Sequence, residues 1–227
     1  MTIVNAEATV GVSSVATVSA KLRVNLALHH LIAACRYSNR IKCIEIENKG
    51  QPFGGFWEEV LQQSMAVCTL TVASLEGFVN EVYFEGGILK STVNDSASIE
   101  LSEILERESI LRKYSVALSL VSGKRLDIGE AITQNISALI KLRNAIVHFC
   151  PEWMEEQDKH EKLSKLLEHK FHQSEFLAEE PIFPRAWASH SFSVWAISST
   201  INFIDYFYNE ISQPSVLDPF RDRLKDF

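Results

Sequence analysis

The chain has 227 residues, 46% of them apolar and 22% charged, with a formal charge of −7. That is the profile of a globular protein long enough for a substantial core, in one large domain or two small ones. An acidic balance excludes a broad, non-specific hold on nucleic acid or anionic membrane, so any such contact must come from a local cluster.

The first residues lack the basic start and apolar core of a secretory leader. Cys35, Cys43, Cys68 and Cys150 are scattered, with no C-x-x-C pair. The expectation is reduced, mostly buried thiols in a cytoplasmic protein, with no zinc site, no metal and no cofactor.

Residues 1–16, "MTIVNAEATVGVSSVA", are small and β-branched without a helical period, and read as a flexible or extended arm. From about Thr17 the pattern turns helical, with Leu22, Leu26, His29, Ala33 and Arg36 on one face. This helix is predicted to reach about Glu45, before a loop in "ENKGQPFGG", 47–55. A second long helix is predicted over 56–85, because Trp57, Leu61, Met65, Cys68, Val72, Leu75, Val79 and Val82 recur at spacings of three and four. The glycines at 86–87 suit its end.

Cap residues fill "STVNDSAS", 91–98, and shorter helices are predicted over 99–107 and 109–121. After a loop at 122–129 comes a helix from about Gly129 to Pro151. The charged run 155–170 reads as a solvated helix carrying His160 and His169, with His172 just after it. Two prolines break the chain at 179–186. Residues 187–211 are aromatic but interrupted by His190, Asn202, Asp205 and serines, which fits a buried helix better than a membrane span. Residues from Pro214 read as a loosely attached tail. The reading is an all-α helical bundle built on two long antiparallel helices with additional shorter ones, in one domain over 17–213, and a C-terminal tail at 214–227.

The chemistry concentrates in "LIKLRNAIVHFCPEW", 139–153. A helix turns about 100° per residue. On that wheel Arg143 falls among Ile132, Ile136, Leu139, Ile140 and Val147, where a charge is costly unless compensated. Asn144 and His148 are four apart and share another face. The second helix offers Glu76 and Asn80 as compensating groups, and Gly77 between them suits a close approach by a neighbouring helix.

"RNAIVHF", 143–149, resembles the signature of the HEPN superfamily, and "SLEGFVNEVYF", 74–84, is similar to the long second helix of several of its branches. The resemblance implies an all-α dimer that cleaves RNA without metal. It implies Arg143 on the phosphate, His148 as general acid or base, and Asn144 orienting the histidine or substrate. These residue types suit that chemistry. Histidine exchanges protons near neutrality, and the guanidinium fork matches phosphate oxygens. A toxin branch of the family has tyrosine two residues after the histidine, where this chain has Cys150.

The first functional expectation is therefore an endoribonuclease, as a toxin or defence effector, working as a homodimer and held in check by an antitoxin or other regulatory protein. The other is a non-catalytic module that binds a protein or nucleotide partner, with Arg143 in a structural ion pair.

Overall fold

A computed structural model describes residues 3–4, 22–23, 25–84, 88–152, 158–225 and 227. The fold is all-α. Its helices are α1 (Leu26–Glu47), α2 (Phe56–Tyr83), α3 (Asp95–Leu105), α4 (Ile110–Ser122), α5 (Ala131–Val147), α6 (Asp158–Leu167) and α7 (His190–Glu210). Two two-residue strands, β1 (Ile3–Val4) and β2 (Leu22–Arg23), pair antiparallel.

The first helix begins later than its apolar spacing predicts. Leu22 and Arg23 are extended, and Asn25 is the cap, its side chain accepting from Leu28 N–H at 3.2 Å. A local cap satisfies a backbone donor that the first turn would otherwise leave bare, and so fixes the start. Asn94, Ser109 and Ser189 do the same for α3, α4 and α7. Gly123, at φ +71°, closes α4 in the left-handed conformation that suits glycine. The second helix ends at Tyr83, and the glycine pair expected to stop it lies outside the described residues.

Helix α2 is the centre of the bundle, touching α1, α3, α4, α5 and α7. It is long and apolar enough to cross a membrane by length and composition, and half of its apolar window is buried in the fold. Ala27 of α1 packs on Gly77, while Arg40 pairs with Glu59 at the far end, so these neighbours run in opposite directions. A Cβ built on Gly77 would sit 2.7 Å from Ala27 Cβ. The glycine is there because the helix backbones leave no room for a methyl group.

The aromatic helix α7 is largely core: Phe192, Phe203 and Phe207 are sealed, and Tyr114 of α4 meets Phe203 and Phe207 edge-on at 4.9 Å. The C-terminal residues are not loose. Asp218–Leu224 forms a 3-10 helix, Leu217 and Leu224 are buried, and Arg221 grips Asp205 of α7 with two nitrogens.

Candidate functional site on the last turn of α5

Helix α5 buries Ile136, Ala138, Leu139 and Leu142 completely against the bundle. Its Lys141, Asn144 and His148 face outward. Arg143 lies between these two sets and is half-buried. Its Nε is buried with no acceptor, and no hydrogen bond or ion pair to its guanidinium is present among the described residues. It lies near Cys68 of α2: burial pushes that thiol well above its ordinary value, and the guanidinium pulls the other way.

Arg143 does not meet the partners expected of it. Glu76 and Asn80 are engaged by Lys113 of α4, whose Nζ lies 3.1 Å from Asn80 Oδ1 and 3.5 Å from Glu76 Oε1. Cys68 and Glu76 are eight residues apart on α2, about 12 Å at the helical rise, so Arg143 sits more than two turns away from the level of Glu76. Lys113 is 3% exposed and reaches these groups from the adjoining helix.

Sequence reasoning missed Lys113, yet a signal existed. It falls among Ile110, Tyr114, Ala117 and Leu118, the buried stripe of α4, so it is a charge on an apolar face as Arg143 is. The Tyr83 hydroxyl donates to the Lys113 carbonyl at 2.6 Å and further fastens this level of the bundle.

His148 is exposed and stands where the helix ends, its backbone N–H bonded to Asn144 O at 2.9 Å. On an ideal wheel Arg143 and His148 leave the axis about 140° apart, and among the described residues no side-chain bond joins Arg143, Asn144 and His148. One chain alone therefore does not close the three around one point. Large apolar groups flank the histidine in the open: Val147 is 52% exposed and Phe149 51%. Cys150 beside them is exposed, as is Cys43, so only Cys35 and Cys68 are buried where most of the four were expected to be.

The segment after His148 is anchored. His160, expected on a solvated face, is buried. It stacks on Phe149 at 5.6 Å and its Nε2 lies 3.2 Å from Cys150 O. Glu152 accepts from the backbone N–H groups of Lys159 and His160 at the start of α6. The chain leaving α5 is thus held by a side-chain stack and three hydrogen bonds, which fixes the backbone that carries His148. Among the described residues no group of three or more His, Cys, Asp or Glu side chains is placed to hold a metal ion.

The arrangement offers a cation with open hydrogen-bonding capacity, an exposed imidazole one turn further on, and an amide beside it. Those groups can bind an anion and move a proton. No protein-family model matches the chain, and no curated protein or solved structure matches it.

Proposed function

We propose that the chain is a metal-independent endoribonuclease of HEPN type, acting as a homodimer. The observation that carries this reading is the Arg143 guanidinium, half-buried on the core side of α5 and without an acceptor among the described residues. A half-buried cation gains from a counter-charge, and an RNA phosphate would supply one through paired N–H···O bonds. His148 supports the reading by being solvent-accessible.

In the proposed reaction one imidazole takes the proton of a ribose 2′-hydroxyl. The 2′-oxygen attacks the adjacent phosphorus, the bond to the 5′-oxygen breaks, and a protonated imidazole gives that oxygen its proton. The products are a 2′,3′-cyclic phosphate and a free 5′-hydroxyl. Arg143 holds the negative charge that builds on the phosphate, where such stabilisation is usually the largest catalytic contribution. Asn144 orients the imidazole or the substrate. Because Arg143 and His148 diverge within one chain, the second copy supplies the facing pair, and the exposed Val147 and Phe149 give the dimer an apolar contact beside the reacting groups.

The test is cleavage of varied RNAs in EDTA by wild type and His148→Ala, with analysis of the product ends. Toxin or defence action in the cytoplasm predicts growth inhibition on expression that the same substitution relieves, and a protein antitoxin or regulator would cover this face. A second reading, a non-catalytic module that binds a protein or nucleotide partner, is favoured by the charge of −7, which opposes RNA binding. It predicts that Arg143→Ala lowers partner affinity while no RNA is cut.

A further inference from the structure

We propose that the cleft between the turn after α6 and the first turns of α7 binds a nucleotide, its base against Phe171 and Trp195 and its phosphate at Lys170. The cleft measures about 720 Å³, within the usual range of small-molecule sites. Most of the large aromatic groups of α7 are consumed by the core, but Trp195 and the neighbouring Phe171 are only half-buried. Their ring centroids are 5.4 Å apart and the planes are tilted by 43°. Partly exposed aromatic rings beside a cation are a means of holding nucleotides, because every base offers a π-face.

Lys170 supplies the cation. Its Nζ donates to the neutral amide of Asn135 on α5 at 2.9 Å, and no ion pair to it is present among the described residues. Burial pushes this ammonium below its ordinary value, the mark of a cation short of counter-charge. A phosphate would provide that charge. His169 and His172 stand exposed on the same rim and add donors, against the carboxylate of Glu168.

The nucleotide has two sources, a free mononucleotide or one unit of an RNA strand. The inference rests on the ribonuclease reading for the second. Asn135, which holds Lys170, precedes His148 on α5 by thirteen positions, roughly 20 Å along the axis, a span that a few nucleotides of single strand can bridge.

The experiment follows tryptophan fluorescence of the full chain during titration with uridine 5′-monophosphate and, separately, with a 2′-O-methyl oligouridylate that cannot be cut. Uridine and ribose 5-phosphate serve as half-ligands. Saturable binding is expected, weaker for each half-ligand. Lys170→Met and Lys170→Gln should weaken it by about tenfold or more, the worth of one charge-assisted bond, while Lys170→Arg retains it and all three keep the wild-type melting profile. Equal affinity for mononucleotide and oligomer identifies a free nucleotide as the ligand, and much tighter oligomer binding identifies an RNA strand. Absence of saturable binding to either probe, or unchanged affinity in both neutral variants, overturns the site. The two proposals fail separately. Lys170-dependent binding without any cleavage removes only the nuclease, whereas cleavage with unchanged KM in Lys170→Met, without nucleotide binding, removes only this cleft.

Discussion

Two cations project from apolar helix stripes in this bundle, and they are treated differently. Lys113 is sealed, yet its ammonium finds Asn80 and Glu76. Arg143 is half-buried and has no hydrogen-bond or ion-pair partner among the described residues. A charge that the fold compensates is explained by the fold, because the desolvation cost is offset inside the chain. A charge with no partner among the described residues is open to an anion from outside them. The Lys113 cluster is therefore part of the architecture, and the open cation is at the end of α5.

Substitutions at the two cations separate a compensated charge from an open one. The largest expected effects are on cleavage, at Arg143 and His148. Arg143→Met should lower the rate of RNA cleavage by about 10²–10³, the usual consequence of losing one donor to a developing oxyanion, without lowering the urea midpoint. A marked loss of stability would mean that the guanidinium is structurally compensated after all. At the other cation, removing both acceptors with Glu76→Ala and Asn80→Ala should cost about 1–3 kcal/mol, because the ammonium is stranded. Adding Lys113→Met should recover most of that loss, and additive effects in this cycle would show that the three groups are not coupled.

Between these levels of α2, Gly77→Ala should destabilise by about 1–3 kcal/mol through overpacking against Ala27, and Ala27→Gly should partly rescue it. An unaltered thermal midpoint for Gly77→Ala would contradict the close approach of α1 and α2.

Smaller effects concern pH. His190, the first residue of α7, is held below its ordinary value of 6.5 chiefly by burial and then by Lys42, with the Phe227 backbone opposing. Below 6.5 the unfolded chain takes up a proton that the folded chain refuses, so stability falls as pH drops from 6.5 toward the depressed value, and no such loss occurs above 6.5. His190→Gln should flatten this limb in urea titrations at several pH values. Glu45, which accepts the His190 N–H at 2.8 Å, has the opposite sign. Burial raises it above 4.5, so the folded chain protonates first and gains stability as pH falls toward 4.5. The smallest effect is expected for His148→Ala, whose stability should stay within about 0.5 kcal/mol of wild type because the side chain is exposed.

Much of the fold was legible in the sequence because burial on a helix repeats at a fixed angle. The stripes of α2 and α5 and the aromatic helix follow from spacing alone. Boundaries were less legible where the period runs past a cap: Leu22 continues the spacing of α1, yet Asn25 ends the helix by satisfying Leu28 N–H. The tail was misread because its burial depends on two leucines and one ion pair to Asp205, and none of these repeats. At the candidate site, helical spacing sets Arg143 on the core side and Asn144 with His148 on another face, but not their surroundings. Which acidic group meets which cation depends on how α4 and α5 are set along α2. That offset is a tertiary quantity, and it gave Glu76 and Asn80 to Lys113. His160 was hidden for the same reason, since its cover comes from Phe149 and from Phe183, beyond its own helix.

The central claim is that Arg143 and His148 form a working site when two chains meet. Its most direct measurement is cleavage of single-stranded RNA by purified protein in EDTA, wild type beside His148→Ala, with the oligomeric state determined for both. The account predicts dimers in each case, cyclic phosphate ends from the wild type, and a loss of about 10²–10⁴ in rate for the variant, the usual share of positioned proton transfer. Equal cleavage by the two proteins, or none by a wild-type dimer across varied RNAs, would contradict it.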